Sequence, residues 1–169
     1  MIDSVELDDR SSVMRTLLNQ ALRRLAQREY GEEELRRKLL SSVNSPEDVE
    51  TVIAQMKQAG HLSDTRFIEE YIQSRVRRGF GPLRISSELR EKGISAEAIG
   101  EVLPIWQSSW LSLAKRALTK KYGERIHLLK KAGDTQQAEK KALMLAQKRF
   151  LLYRGFETST IQQIFAEDF

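Results

Sequence analysis

The chain contains no cysteine, which excludes disulfides and thiolate metal centres alike. Its two histidines, His61 and His127, stand far apart with no further ligand at helical spacing, so each reads as a surface or capping residue and no zinc site is expected. No apolar run approaches the roughly 18 residues a membrane helix needs. The first residues (Asp3, Glu6, Asp8, Asp9) are acidic where a signal or transit peptide would be basic. A soluble, unexported protein is the expectation, without a membrane partner. Period-two alternation, β-branched clusters and hairpin dipeptides are almost absent, so strands are not expected. Catalytic patterns are missing too: there is no G-x-S-x-G, phosphate-binding loop, dinucleotide fingerprint or H-E-x-x-H. Gly79-Phe80-Gly81 lacks the third glycine and the preceding strand of a nucleotide fingerprint. The runs Glu32-Glu33-Glu34 and Glu69-Glu70 are carboxylate clusters, the first placed to stabilise a helix N-terminus. No enzyme, cofactor or metal is expected, and binding is what remains.

The net charge of +4 conceals a gradient. Residues 1–74 hold ten Lys/Arg against fourteen Asp/Glu, residues 75–109 six against four, and residues 110–169 twelve against six. A chain that begins acidic and ends basic suits a polyanionic partner, either nucleic acid or an acidic protein surface; a merely solvated helical face is the competing account.

What the chain does contain is organised around residues 67–93. Ile68, Ile72 and Val76 form one buried helical row with Phe67 and Tyr71 beside them, and the helix should stop at Arg77-Arg78-Gly79. Phe80-Gly81 then forms a tight turn, and Pro82 opens a second helix that carries Ile85 and Leu89 inward and ends at Gly93. Shifted by fifty residues, Leu18, Leu22, Ala26, Tyr30, Gly31, Leu35, Leu39, Ser45, Val49 and Ile53 fall on the corresponding positions of this stretch. Shifted by forty-two, Trp110, Ala114, Leu118, Tyr122 and Gly123 repeat its beginning, and Gly155 to Phe165 repeat its end at a shift of sixty-two. The fold expected is therefore all-α: an elongated array of three tandem three-helix units. The divisions are residues 1–15 as an acidic tail or helix start, 16–62, 63–107, and 108–169 with an insertion at about 124–143 that includes a break at Ala132-Gly133-Asp134-Thr135. Ser45, Ser95 and Glu157 or Thr158 are the expected caps of the third helices. Pro104 should bend the chain before the last unit.

The repeated pairs Tyr30-Gly31, Phe80-Gly81 and Tyr122-Gly123 read as structural turns whose rings seal each small core. Stacking on bases would require those rings to be exposed. Trp110 belongs to the core and Trp106 to the junction ahead of it. Candidate partner-binding cations are Arg75, Arg77, Arg78, Arg84 and Lys92 in the second unit, with Lys140, Lys141, Lys148 and Arg149 in the third. They would meet carboxylates or phosphates. The third unit's basic set also includes Lys115, Arg116, Lys120, Lys121, Lys130, Lys131 and Arg154. Some cations at helix ends, Arg77, Arg78, Lys120 and Lys121 among them, would also offset helix dipoles.

The run Leu62, Asp64, Arg66, Phe67, Arg75, Arg78-Gly79-Phe80-Gly81-Pro82, Ile85, Leu89 and Lys92-Gly93-Ile94 resembles the RecX family, bacterial regulators of the RecA recombinase. Glu34 to Leu39, Lys121-Tyr122-Gly123 and Phe150 to Phe156 are similar to other parts of that family, so the resemblance spans about residues 18–166 and departs at His61, at Ser63 and in the acidic N-terminal tail. It implies a cytoplasmic protein of tandem three-helix units that lodges along the groove of the RecA filament on DNA and restrains strand exchange and stimulated repressor cleavage. A monomer acting by occupancy is the expectation. The rival reading is a helical array that binds single- or double-stranded DNA without RecA and without sequence preference.

Overall fold

The computed structural model describes residues 3–43, 45–131 and 137–166. Among these the chain is helical throughout, without strands. In order, the helices are α1 (Asp3–Leu25), α2 (Glu32–Leu40), α3 (Pro46–Gln58), α4 (Asp64–Arg77), α5 (Pro82–Glu91), α6 (Ala96–Val102), a 3-10 segment (Leu103–Ser109), α7 (Trp110–Lys131), α8 (Gln137–Arg154) and α9 (Thr158–Ala166). Three successive helix triplets repeat, and the all-helical repeat read from the periodicities is the fold. The expected break at Ala132 to Thr135 lies outside the described residues.

Each boundary has a local cause. Arg75 and Arg77 stand in the last turn of α4 and Gly79 takes φ +79°, a left-handed backbone that an L side chain resists. Pro82 starts α5, where its missing N–H costs nothing. The α6 helix stops at Val102, and Pro104 is the second residue of the 3-10 segment that leads into α7; Leu103 before it lies in that segment, so the proline replaces α-helix by a 3-10 turn and does not push its predecessor out of helical geometry. Ser95 accepts from the Ala98 N–H at 3.2 Å as a cap should. Ser45 behaves differently: its hydroxyl donates to Asp48 Oδ2 at 2.7 Å, and Arg10 holds the other carboxylate oxygen at 3.1 Å. Asp48 is thereby buried as a strut between α1 and α3.

By its contacts the chain forms two compact units: Met1–Glu70 with Leu89–Ile99, and Tyr71–Glu88 with Gly100–Phe169. The middle triplet contributes to both. In the first unit Leu17, Ala21, Tyr30, Leu35, Leu39, Val49, Val52, Ile53, Met56 and Leu62 form one buried cluster. The row expected in α1 was Leu18, Leu22 and Ala26. Leu17 and Ala21 are buried instead, while Leu22 is 41% exposed. The reason is a longer connection: α1 ends at Leu25, five residues before Tyr30, whereas α4 ends at Arg77, three before Phe80. In the second unit Ile72, Val76, Ile85, Trp110, Ala114, Leu118, Leu143, Leu151, Phe156 and Ile161 are buried. Trp110 is core, as its register requires, with the Trp106 ring 6.4 Å away.

The aromatic-glycine pairs serve a purpose the local pattern does not contain. Gly31 has φ −74° and ψ 150°, which any residue adopts, so reversal alone does not require glycine there. A Cβ on Gly31 would stand 3.0 Å from Ile94 Cδ1, and one on Gly81 would stand 2.5 Å from the Gly155 carbonyl oxygen. The pairs in the first two triplets thus admit the glycine-apolar end of the middle helix of the following triplet, Gly93-Ile94 and Gly155-Phe156. In the second unit the junction is bonded as well: the Gly81 and Leu83 N–H groups donate to Arg154 O at 2.8 Å and Gly155 O at 3.0 Å. The third pair departs from expectation. Helix α7 runs through Tyr122 and Gly123 to Lys131, so the chain does not turn there. Strong helix formers surround Gly123, and one glycine in a helix costs only about 1 kcal/mol.

Candidate functional site

The second unit gathers the cations. Where α4 ends, Arg75 lies against Tyr71 and Glu88: its guanidinium donates to the Tyr71 hydroxyl oxygen at 2.8 and 3.0 Å and pairs with Glu88 Oε2 at 2.7 Å. Tyr71 in turn donates to Glu88 at 3.0 Å, and Arg84 holds the other Glu88 oxygen at 3.1 Å. Burial pushes the Glu88 carboxyl upward, yet the hydrogen bonds from Arg84 and Tyr71 and the charge of Arg75 outweigh it and leave its pKa below the ordinary carboxylate value. The same burial raises the Tyr71 phenol. Glu88 therefore stays ionised and holds both arginines, offsetting one of their two positive charges.

Beyond this pair, guanidinium groups surround the half-buried Phe80 ring. Arg84 lies 4.6 Å from its centroid, Arg154 4.7 Å, Arg75 5.6 Å and Arg78 5.8 Å. A ring quadrupole attracts each cation and softens their mutual repulsion. Arg154 is held most tightly: it also lies 5.1 Å from the Phe150 centroid and donates to the Arg78 carbonyl at 2.9 Å, at the negative end of α4. Among the described residues its Nε is buried without a hydrogen-bond partner.

These groups border a groove of about 270 Å³ lined by Val76, Arg77, Arg78, Gly79, Leu113, Arg116, Ala117, Lys120, Lys121, Phe150 and Arg154. Six of the eleven are cations and none is an acid, so the cavity carries a positive potential that only an anion relieves. The positions Leu113, Arg116, Ala117, Lys120 and Lys121 recur at three and four residues and so share one face of α7. Lys121 reaches over the Phe150 ring at 4.3 Å. The floor is apolar and aromatic while the walls are charged, an arrangement that suits a phosphate chain or a carboxylate-bearing peptide better than a neutral ligand.

Of the cations proposed from sequence, Arg77 and Arg78 line this groove, and Arg75 and Arg84 stand behind it, paired to Glu88. Lys92 lies elsewhere, in the first unit beside Glu34, whose pKa its charge helps to lower. Lys140, Lys141, Lys148 and Arg149 are on α8 and do not line the groove; Lys148 sits 5.1 Å from the Phe165 ring. Arg116, Lys120, Lys121 and Arg154 were not singled out as site residues. Their shared helical face was visible in the spacing, but its alignment with Arg77 and Arg78 was not. Tyr30 is buried with Arg28 stacked 3.6 Å from its centroid, and Tyr122 packs edge-on against Phe150 at 5.8 Å. Both rings serve packing.

Among the described residues no cluster of His, Asp or Glu could hold a metal ion, and no helix is long and apolar enough to cross a membrane. His61 is exposed; the side chain of His127 lies outside the described residues. Residues 63–103 match the model of the RecX second three-helix domain. The chain is 40% identical over 158 residues to the regulatory proteins RecX of Escherichia coli strain K12 and of Escherichia coli O9:H4 strain HS, covering 88% of this chain and 89% of each of those. It is similar in fold to RecX from Lactobacillus salivarius, with a TM-score of 0.77 and 19% identity over 93% of this chain and 97% of that one. A second solved regulatory protein RecX superposes with a TM-score of 0.75 at 20% identity, covering 98% of this chain and 78% of that chain.

Proposed function

The chain belongs to the RecX family of regulatory proteins, and from that premise we propose that it binds the RecA nucleoprotein filament and restrains RecA's strand exchange, ATP hydrolysis and coprotease activity. It acts in the cytoplasm as a monomer, by occupancy, with no cofactor and no catalysis of its own. The observation that carries this reading is the groove of the second unit, where six cations and an aromatic floor meet without a carboxylate. A nucleoprotein filament offers such a groove two anionic surfaces, the DNA phosphates and the acidic side chains of the protein. Arg154 and Arg78 present planar forks suited to either. Arg75 and Arg84 are positioning residues here: tied to Glu88, they hold the Phe80 turn that sets Arg78 and Arg154.

The test is inhibition of RecA ATP hydrolysis on single-stranded DNA by Arg77→Glu/Arg78→Glu. Both side chains are exposed, so the helix content should remain that of the wild type. Each exposed ion pair lost is worth up to about 1 kcal/mol, so half-inhibition should require roughly tenfold more protein. Undiminished inhibition by the folded variant would remove the groove from the contact surface.

The rival reading, binding to bare DNA without RecA, draws on the same groove. Fluorescence anisotropy with single-stranded and duplex DNA at several salt concentrations separates the two. Tight, steeply salt-dependent binding in the absence of RecA favours the rival.

A further inference from the structure

Helix α8 carries two apolar faces. One is spent on the core: Leu143, Gln147, Phe150 and Leu151 are buried at the spacing of a helical stripe. The other faces solvent. Lys141, Leu145, Arg149 and Leu152 follow at intervals of four, four and three residues, which is again a single stripe, and at 100° per residue Leu152 lies about 160° around the helix from Phe150. Leu145 is 45% exposed, Leu152 54% and the neighbouring Tyr153 73%. A fourth apolar side chain joins them at the end of the helix: Leu83, 56% exposed, donates its N–H to the Gly155 carbonyl at 3.0 Å, three residues past Leu152. Arg84 beside it lies 5.4 Å from the Tyr153 ring. The core explains none of these exposures. Water solvates a bare helix face best when it is polar, and this face places leucine between cations.

We infer that the outer face of α8 is a protein-docking surface, whose occupant is a patch of apolar side chains edged with carboxylates on the recombinase filament. The inference rests on the function proposed above and divides it between two surfaces. The groove, on the Phe150 and Arg154 side of α8, takes phosphate; the opposite side takes protein. Charge complementarity identifies the occupant. Among the described residues no carboxylate pairs with Lys141 or Arg149, so the rim calls for acids, while Leu145, Leu152 and Leu83 gain nothing from a phosphate backbone and call for apolar surface. A second copy of this chain would set the same cations against one another. A lipid surface would receive only a few apolar side chains from a helix whose other face is committed to the core.

Leu145→Ser/Leu152→Ser/Tyr153→Ser in the full chain tests the inference. Three quantities are read: co-sedimentation with RecA filaments on single-stranded DNA, anisotropy with the same DNA alone, and sedimentation velocity of the free protein. The expected result is at least a tenfold loss of filament binding with binding to bare DNA unchanged. Leu145→Gln/Leu152→Gln, which keeps side-chain length and leaves Tyr153 in place, should give a loss of the same kind should the triple variant fail to reach the wild-type helix content. If wild type binds filaments and both variants bind equally well, this inference is overturned and the proposed function stands. If wild type itself does not bind filaments, the proposed function and the inference fall together. A wild-type dimer that the substitutions dissociate would assign the face to a second copy. Wild-type binding to vesicles containing phosphatidylglycerol that the substitutions abolish, with filament binding intact, would assign it to lipid. Either result overturns the inference.

Discussion

Replacing Gly81 by alanine should separate the second unit at its tightest point. The added Cβ would lie 2.5 Å from Gly155 O and 2.6 Å from both Gly155 C and Phe156 N. All three are backbone atoms with no rotamer through which to yield, so the two segments must part by roughly 1 Å to restore ordinary contact. That displacement breaks or badly stretches the bonds from the Gly81 and Leu83 N–H groups to Arg154 O and Gly155 O, worth about 0.5–1.5 kcal/mol each. Overpacking beside the buried Phe156 adds about 1–3 kcal/mol. The reduced freedom of the unfolded chain returns about 0.4–1 kcal/mol. The net expectation is a loss of about 2–4 kcal/mol, or a fall in melting temperature of roughly 5–15 °C for a chain of this size. Thermal and urea unfolding followed by circular dichroism at 222 nm measure it. Gly100→Ala is the matched control, because a Cβ there meets nothing within 4 Å inside α6; it should gain about 1 kcal/mol. If Gly81→Ala melts within about 2 °C of wild type, or Gly100→Ala loses as much as Gly81→Ala, close approach is not the reason glycine stands at position 81. The junction also sets Arg154 at the groove, so under the function proposed above the Gly81 variant should restrain RecA less well than its residual helix content suggests.

Gly123→Ala tests the course of α7. A Cβ there meets only Thr119 Cγ2 at 3.7 Å, and a continuous helix should gain about 1 kcal/mol, whereas a turn at Tyr122-Gly123 would lose stability. Acid should destabilise the protein by a defined route: the Arg28 hydrogen bond to Glu34, the Lys57 hydrogen bond to Glu32 and the Arg84, Tyr71 and Arg75 contacts to Glu88 hold all three carboxyls below their ordinary value of 4.5, against the burial that would raise them. Folded values lower than unfolded ones give stability that is complete above about pH 4.5 and lost as pH falls through the lowered values. The urea midpoint should drop below that pH, and Glu88→Gln should remove part of the slope; a flat profile between pH 5 and pH 2.5 would refute the pairing. Salt dependence of binding to bare single-stranded DNA counts the phosphate contacts at about 0.7 per contact. Arg77→Glu/Arg78→Glu should lessen the slope by about 1.4, and an unchanged slope would place the phosphates elsewhere.

The two surfaces of α8 give the triplet repeat a functional reason to depart from itself in its last copy. In the first two copies the long helix ends at an aromatic-glycine pair that receives the next copy. In the last copy α7 runs on past Gly123 and α8 follows as an eighteen-residue helix, against nine and ten residues in α2 and α5. By the shift of sixty-two α5 falls on residues 144–153, so the extra turns are residues 137–143 and carry Lys140 and Lys141, and the added length lies in the helix that bears the outer stripe.

Local chemistry settled much of this protein from the sequence alone. Helix period, proline at helix starts and glycine at helix ends act within a few residues, so the helices, the repeat and the α4–α5 turn were legible without coordinates. The cation supply was legible too, as a matter of composition. What required the tertiary structure is whatever depends on residues brought together from far apart along the chain. The buried row of α1 slid by one position because a connection two residues longer changed its register. Gly81 is glycine because of Gly155, and no pattern around Gly81 says so. Arg75 and Arg84 looked equal to Arg77 and Arg78 in a list of cations, yet the first two are tied to the single carboxylate of Glu88, while the second two face a groove whose other wall, Arg116 to Lys121, lies some forty residues away. Side-chain periodicity is a property of one helix, whereas which charges remain uncompensated is a property of the packing of several.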